Sequence, residues 1–143
     1  MPIANRLVAG GLAGALAVPC FHQPVAAILG ALEFFPAPAF ALPGLWRGMA
    51  FSMLWGLLFL WLRPRLHRLP LALAGALYGA TVPIAYLFFV MAPWRGAAIA
   101  FGMPPHLIFA VIVAHAAFGF GIAAWLVLLR AGLLGSWLAR GAE

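Results

Sequence analysis

The stretch LVAGGLAGALAVPCFHQPVAAILGAL, which runs from Leu7 to Leu32, contains no charged side chain. A helix needs about 20 predominantly apolar residues to cross the hydrocarbon core of a bilayer, and this stretch is longer than that. Because a backbone in lipid has no water to bond, its N–H and C=O groups must pair within the segment. The stretch therefore predicts a transmembrane α-helix.

The overall composition extends this prediction to the whole chain. Of its 143 residues, 67% are hydrophobic and only 7% are charged, whereas soluble domains carry about 25% charged residues. So little polar surface cannot cover a soluble globule. The chain is therefore predicted to be an integral membrane protein, with the lipid bilayer as its first partner.

Three further apolar segments are long enough to span a membrane as helices. With the first, at residues 7–32, they are predicted at residues 46–62, 69–92 and 106–129. None of the segments alternates apolar and polar residues with a period of two, which argues against a transmembrane β-barrel. The predicted fold class is all-α: a single membrane domain over residues 1–143, built as a bundle of four transmembrane helices.

The charge of the chain is carried by arginine, which accounts for all 8 basic residues, and the formal net charge is +6. In a soluble protein this balance would suggest nucleic acid. Here the arginines lie at the ends of apolar segments, and no basic patch with interleaved aromatic residues lies outside them. They are interpreted as topology signals and headgroup contacts, and no nucleic-acid partner is expected.

Arginine positions also predict the orientation. One side of the predicted bundle carries six of them: Arg6, Arg63, Arg65, Arg68, Arg130 and Arg140. The other side carries Arg47 and Arg95. Because arginine is enriched in cytoplasmic loops, the first side is predicted to be cytoplasmic, with both termini inside and a multi-pass topology.

Small residues four apart suggest close helix packing. The pairs are Gly10/Gly14, Gly44/Gly48, Gly75/Gly79 and Ala117/Gly121. Such pairs let helix backbones approach each other in lipid, where no hydrophobic force drives association. They serve either the bundle itself or an interface between copies of the chain.

Cys20, the only cysteine, is expected to be a small buried residue. A single cysteine cannot form a tetrahedral thiolate metal site within one chain.

Polar side chains lie at depth in two of the spans. His22, Gln23 and His115 are the candidate site residues. At 1.5 Å per residue, the two histidines lie roughly 14–15 Å below the same predicted surface, near the bilayer midplane. Polar groups at such depth are costly and usually face the bundle interior. Pro19 and Pro24 flank the first histidine and are expected to interrupt their helix.

Several interpretations of this polar layer remain open. The first is structural: the three side chains bond one another and the carbonyls that proline leaves free. The second is a cofactor site, in which His22 and His115 are axial ligands of haem b. The third is a site for an apolar ligand, a quinone or a lipid, whose carbonyl or headgroup is bonded by histidine and Gln23. A histidine relay for protons or ions is a further alternative, weakened by the near absence of carboxylates.

Enzymatic chemistry has little support in this sequence. The chain contains no aspartate, so a Ser-His-Asp triad is impossible, and no lysine, so no phosphate-binding loop of the Gly-Lys type exists. The expectation is a protein that is not an enzyme and holds no catalytic residue.

Each of the four spans contains a short motif. In chain order they are FHQ in the first span, FSMLWGLLF (Phe51–Phe59) in the second, GALYG (Gly75–Gly79) in the third and HAAFGFG (His115–Gly121) in the fourth. Taken together, the chain resembles small four-helix membrane proteins of GC-rich bacteria. The resemblance implies a four-helix fold and a location in the bacterial inner membrane, and it implies no activity.

The sequence therefore favours a non-enzymatic inner-membrane protein. It is expected to be an accessory or structural subunit of a membrane complex, or a self-associating bundle. Its polar layer at His22, Gln23 and His115 either stabilises the bundle or holds an apolar ligand. The alternative is a small redox protein that binds haem or quinone through His22 and His115.

Overall fold

The computed structural model describes residues 3–34 and 42–129, and these residues form four long helices. Helix α1 consists of Ile3–Ala17, a π-helical segment at Val18–His22, and Gln23–Ala31. Helix α2 is Leu42–Leu62, followed by a 3₁₀ turn at Arg63–Leu66. Helix α3 consists of Leu71–Tyr86, a π-helical segment at Leu87–Met91, and Ala92–Trp94. Helix α4 is Pro105–Leu128, and a 3₁₀ turn at Ile99–Gly102 precedes it.

All four helices are long and apolar enough to cross a membrane. The predicted fold class, an all-α bundle of four transmembrane helices, is confirmed, and the chain is a multi-pass membrane protein. Helix α2 begins at Leu42, four residues before the start that the sequence predicts, because Pro43 and Gly44 are tolerated in its first turn. Residues 35–41 lie outside the described ranges, as do Arg130 and Arg140.

Proline explains the irregular segment in the middle of α1. Pro19 lies inside the π-helical segment, and Pro24 is the second residue after it. Neither residue has a backbone N–H, so the regular ladder of hydrogen bonds is already broken on both sides of His22. The N–H of Gln23 donates instead to the carbonyl of Val18, one residue farther back than in an α-helix. This π-helical turn is the local structure that positions the first candidate histidine.

Glycine brings the backbones of α1 and α2 into direct contact. A Cβ atom added at Gly14 would overlap the carbonyl oxygen of Ser52, and one added at Gly56 would overlap the carbonyl oxygen of Gly10. The same arrangement joins α3 to α4. A Cβ at Gly79 would overlap the carbonyl oxygen of His115, and Gly75 and Gly119 face each other in the same way.

The other small-residue pairs have different roles. Gly44 has no atom near its missing Cβ, and Gly48 has only a side-chain carbon of Val18 at 4.0 Å, so this pair joins no backbones. Gly121 instead receives the ring of Phe21 from α1, whose Cδ2 atom would lie 2.6 Å from an added Cβ. The glycine pairs of α1 and α3 thus act within the bundle, through partners on α2 and α4.

The four helices form a ring with one open side. Helix α1 packs extensively on α2 and on α4, and α3 packs extensively on α4, whereas α2 and α3 make few contacts with each other. One direct bond closes the middle of this α2–α3 seam, where the Tyr78 hydroxyl donates to the carbonyl of Trp55 over 2.7 Å. The seam therefore leaves space on both sides of that bond.

We predict that glycines at the backbone contacts are required for stability. Gly79→Ala should lower the free energy of unfolding by about 1–3 kcal/mol or more, because its methyl group meets the backbone of α4 rather than a movable side chain. Thermal unfolding in mild detergent measures the effect. Gly44→Ala is the matched control and should leave the midpoint unchanged, since nothing lies near that position. Equal effects at the two sites would contradict this account of the packing.

We predict that the arginine turn between α2 and α3 faces the cytoplasm. In a Cys20→Ala background, His67→Cys places a thiol in that turn, and Ala98→Cys places one in the loop between α3 and α4; both positions are exposed. A membrane-impermeant maleimide should label the second variant in intact cells and the first only after permeabilisation. The reverse pattern would show that the arginine bias does not set the orientation of this chain.

Candidate functional site

A cleft of about 250 Å³ lies on one side of the Tyr78–Trp55 bond, toward the end of the bundle where α1 ends and α2 begins. All four helices contribute to its lining. Its polar and aromatic side chains are His22 and Gln23 from α1; Phe51, Ser52 and Trp55 from α2; Tyr86 from α3; and His115 and Phe118 from α4. The cleft lies where α2 and α3 make few backbone contacts with each other.

The two candidate histidines meet in this cleft. The rings of His22 and His115 lie 5.0 Å apart between centroids, edge to face, with an interplanar angle of 85°. Each histidine is partly buried. The π-helical turn of α1 holds the first ring, and the backbone contact at Gly79 fixes the height of the second. The sequence places the two residues at the same depth, and the packing of α1 on α4 brings them together.

The hydrogen bond of His115 fixes its tautomer. Its Nδ1 atom lies 2.9 Å from the carbonyl oxygen of Val111, one turn earlier in α4. A carbonyl oxygen only accepts, so Nδ1 carries the proton and donates it. In the neutral ring, Nε2 is then left as an acceptor. This bond is internal to α4. The structural interpretation instead expects a bond to a carbonyl that proline leaves free, and Val111 does not provide such a carbonyl.

Gln23 and Ser52 add further hydrogen-bonding groups to the cleft wall. Gln23 is partly buried, and its amide provides two donors and an acceptor. Ser52 is the buried polar side chain of the core, with 8% of its surface exposed. With the neutral ring of His22, which has one donor and one acceptor, the wall presents both kinds of group to an apolar space. Among the described residues, the two histidines and Gln23 line one cleft.

Aromatic rings join α2 to α3 across the cleft. Trp55 lies edge to face with Tyr86 at 5.4 Å between centroids, and Phe51 contacts the same two rings at 5.8 Å and 6.4 Å. This cluster makes one wall of the cleft aromatic and apolar. The sequence does not predict a site role for Phe51 and Tyr86, because nothing in their spacing separates them from aromatic residues that face lipid.

Two polar residues in the middle of α3 make their hydrogen bonds outside the cleft. Tyr78 is committed to its bond across the α2–α3 seam. Thr81 is exposed and donates to the carbonyl of Leu77 in its own helix. The expectation for Cys20 is wrong: its side chain is exposed rather than buried. It follows Pro19 in the π-helical turn, and this turn directs it away from the bundle while His22 points inward.

The ring geometry does not fit axial ligation of haem. Two histidine ligands of one haem iron lie on opposite faces of the porphyrin, with the macrocycle between them. Here the rings of His22 and His115 touch edge to face, which leaves no gap for a macrocycle. The space that Gly119 leaves near His115 is filled by the backbone of α3 at Gly75 and Gly79.

Among the described residues, no group of three or more histidine, cysteine or acidic side chains is placed to hold a metal ion. The chemistry of the cleft is therefore that of hydrogen bonding within an apolar, aromatic space. It suits a neutral ligand with one or two polar atoms.

Comparison with protein-family models, with curated proteins and with solved structures finds no match to this chain. Of what the resemblance in its short motifs implies, the four long apolar helices are therefore shown, and no family is identified.

We predict that the purified protein has no Soret band in its visible absorbance spectrum, before or after reduction with dithionite. The physical reason is the direct contact of the two imidazoles, which excludes a porphyrin from between them. The sample should be purified gently from its native membrane so that a bound cofactor is retained. A Soret band that disappears in both His22→Ala and His115→Ala would contradict this prediction.

Proposed function

We propose that this chain is a membrane protein that binds one apolar ligand carrying a carbonyl or hydroxyl head, of the quinone class, in the cleft between α2 and α3. The observation that supports it is the convergence of His22, Gln23 and His115 on one aromatic-walled cleft. In this proposal the chain binds its ligand and does not itself catalyse a reaction.

The size of the cleft favours a ligand with a small head and a tail. Pockets that enclose drug-sized molecules measure about 300–1,000 Å³, whereas this cleft measures about 250 Å³. It therefore accommodates a single ring or headgroup rather than a whole lipid-soluble molecule. In this proposal the tail of the ligand leaves the cleft between α2 and α3, where the two helices make few backbone contacts, and continues into the surrounding bilayer.

The hydrogen-bonding groups favour a quinone or quinol over a purely apolar ligand. Quinone oxygens accept hydrogen bonds, which the Gln23 amide and a ring N–H of His22 supply. Quinol hydroxyls donate, and Nε2 of His115 is an acceptor because its Nδ1 proton is bonded to Val111. The planar ring would stack on the aromatic wall, where offset or edge-to-face contacts contribute about 0.5–1.5 kcal/mol.

We predict that decylubiquinone binds saturably to the purified chain and quenches the fluorescence of Trp55, whose ring lines the cleft. Gln23→Leu and His22→Leu should each weaken binding about two- to tenfold, because each removes a hydrogen bond of about 0.5–1.5 kcal/mol. Gly48→Leu should block binding, since Gly48 lines the cleft and its added side chain enters it.

The matched controls are an exposed histidine and the reporter residue itself. His106→Leu removes a histidine at the start of α4, outside the cleft, and should leave the affinity unchanged. Trp55→Phe should remove most of the quenching while binding persists in an extraction assay. Quenching that does not saturate, or that His22→Leu and His106→Leu alter equally, would refute the ligand proposal. It would return the chain to the alternative of a structural or accessory subunit without a ligand.

A further inference from the structure

A second cavity, of about 350 Å³, lies on the other side of the Tyr78–Trp55 bond, toward the arginine turn. We call it the α2–α3 groove. Its walls are aliphatic and are formed by Leu62, Leu66, Leu69, Leu77 and Val82. It is separate from the cleft described above, shares none of its lining residues, and carries an inference that does not rest on the proposed function.

The polar groups at the inner end of the groove are already satisfied. The Tyr78 hydroxyl donates to the carbonyl of Trp55 over 2.7 Å. The Thr81 hydroxyl donates to the carbonyl of Leu77 over 2.7 Å. Neither side chain therefore has its proton left for a ligand, although both border the groove. An occupant of this space has an apolar body and meets a charged group only at the mouth, where Arg65 lies.

The depth of the groove matches one leaflet of a bilayer. Its lining residues lie at the end of α2, in the turn that precedes Leu71, and farther along α3 at residues 77–82, so they span the rise of α3 from Leu71 to Thr81. At 1.5 Å per residue this is roughly 15 Å. The hydrocarbon core is about 30 Å thick, so half of it belongs to each leaflet. A groove of this length fits an acyl chain.

The arginine turn holds a cation at the mouth of the groove. The guanidinium of Arg63 donates to the carbonyls of Leu66 and Leu69, at 2.6 Å and 3.3 Å, and so fixes the turn. Arg65 is exposed, and its guanidinium carbon lies 4.4 Å from the centre of the Trp61 ring. Stacking uses the face of the guanidinium, while its N–H donors lie in the plane and point outward. Such an edge suits bidentate bonding to phosphate oxygens.

The charge at this end of the bundle is uniformly positive among the described residues. Arg68 lies in the same turn and is exposed, and Arg6 begins α1 at the same end. Glu33 is the acidic residue of the described ranges, and it lies at the opposite end, after α1. An anion at the mouth of the groove would therefore meet attraction from several arginines and repulsion from no described carboxylate.

We propose that the α2–α3 groove binds an anionic phospholipid, with one acyl chain along α3 beside the end of α2 at Leu62 and the phosphate on Arg65 and Arg68. The apolar length, the satisfied inner end and the stacked cation at the mouth each match one part of that molecule. Trp61 has the role of an interfacial anchor that also holds Arg65 over the mouth of the groove.

The test is native mass spectrometry of the full chain in detergent, titrated separately with dioleoylphosphatidylglycerol, dioleoylphosphatidylcholine and inorganic phosphate. We expect phosphatidylglycerol to bind at least fivefold more tightly than phosphatidylcholine. Arg65→Gln and Arg68→Gln should each weaken phosphatidylglycerol binding about fivefold, as expected for one arginine near an anionic headgroup. Leu77→Trp, which fills the groove, should weaken binding of both lipids. Inorganic phosphate should not compete.

Two control variants separate this site from general attraction to lipid. Leu73→Trp alters a leucine one turn away in α3 that has the same 47% exposure as Leu77 but does not line the groove. Arg95→Gln removes an exposed arginine from the opposite end of the bundle. Both should retain wild-type binding. The proposal is overturned if Arg95→Gln matches Arg65→Gln, if Leu77→Trp has no effect, if the two lipids bind equally, or if free phosphate displaces the lipid.

Discussion

Direct contact between helix backbones, made possible by glycine, is the constraint on which this bundle depends. Helices in lipid gain nothing from expelling water from one another, so close packing of backbones has to replace that force. The chain uses it twice, once between α1 and α2 through Gly14 and Gly56, and once between α3 and α4 through Gly79 and Gly119. Each glycine lies where a methyl group would overlap a carbonyl oxygen or the facing backbone.

Because the helix backbones of the described ranges touch at only these two pairs, space remains elsewhere in the bundle. Two tightly joined pairs pack on each other through α1 and α4, with the Phe21 ring seated on Gly121. The facing pair, α2 and α3, has no glycine contact among the described residues and meets at a side-chain hydrogen bond from Tyr78. The cleft and the α2–α3 groove are the two halves of that seam. The openings that we propose as ligand sites thus follow from where the backbones touch and where they do not.

The candidate site shows which of its features residue spacing predicts and which it does not. Depth along a helix is a sum of 1.5 Å steps, so residue spacing alone places His22 and His115 at one level. Whether they touch depends on the rotation of α1, and the π-helical turn that contains Pro19 changes that rotation within the span. Periodicity assumes a regular helix, so it could not show that Cys20 faces outward. It also gave Phe51 and Tyr86 no special place, because their value lies in meeting across two helices.

Four membrane-spanning helices follow from the amino-acid sequence alone. The length and apolarity of each segment are local properties, and a segment spans the membrane when its helix is as long as the hydrocarbon core is thick. The depth of the polar residues and the presence of glycine pairs suited to helix contact are local in the same sense. Which helices the glycines join, the contact of two imidazoles and the separation of α2 from α3 emerge only when the helices pack. Those features depend on helix rotation and on partners distant in the chain, and each is set by steric fit between surfaces rather than by any single segment.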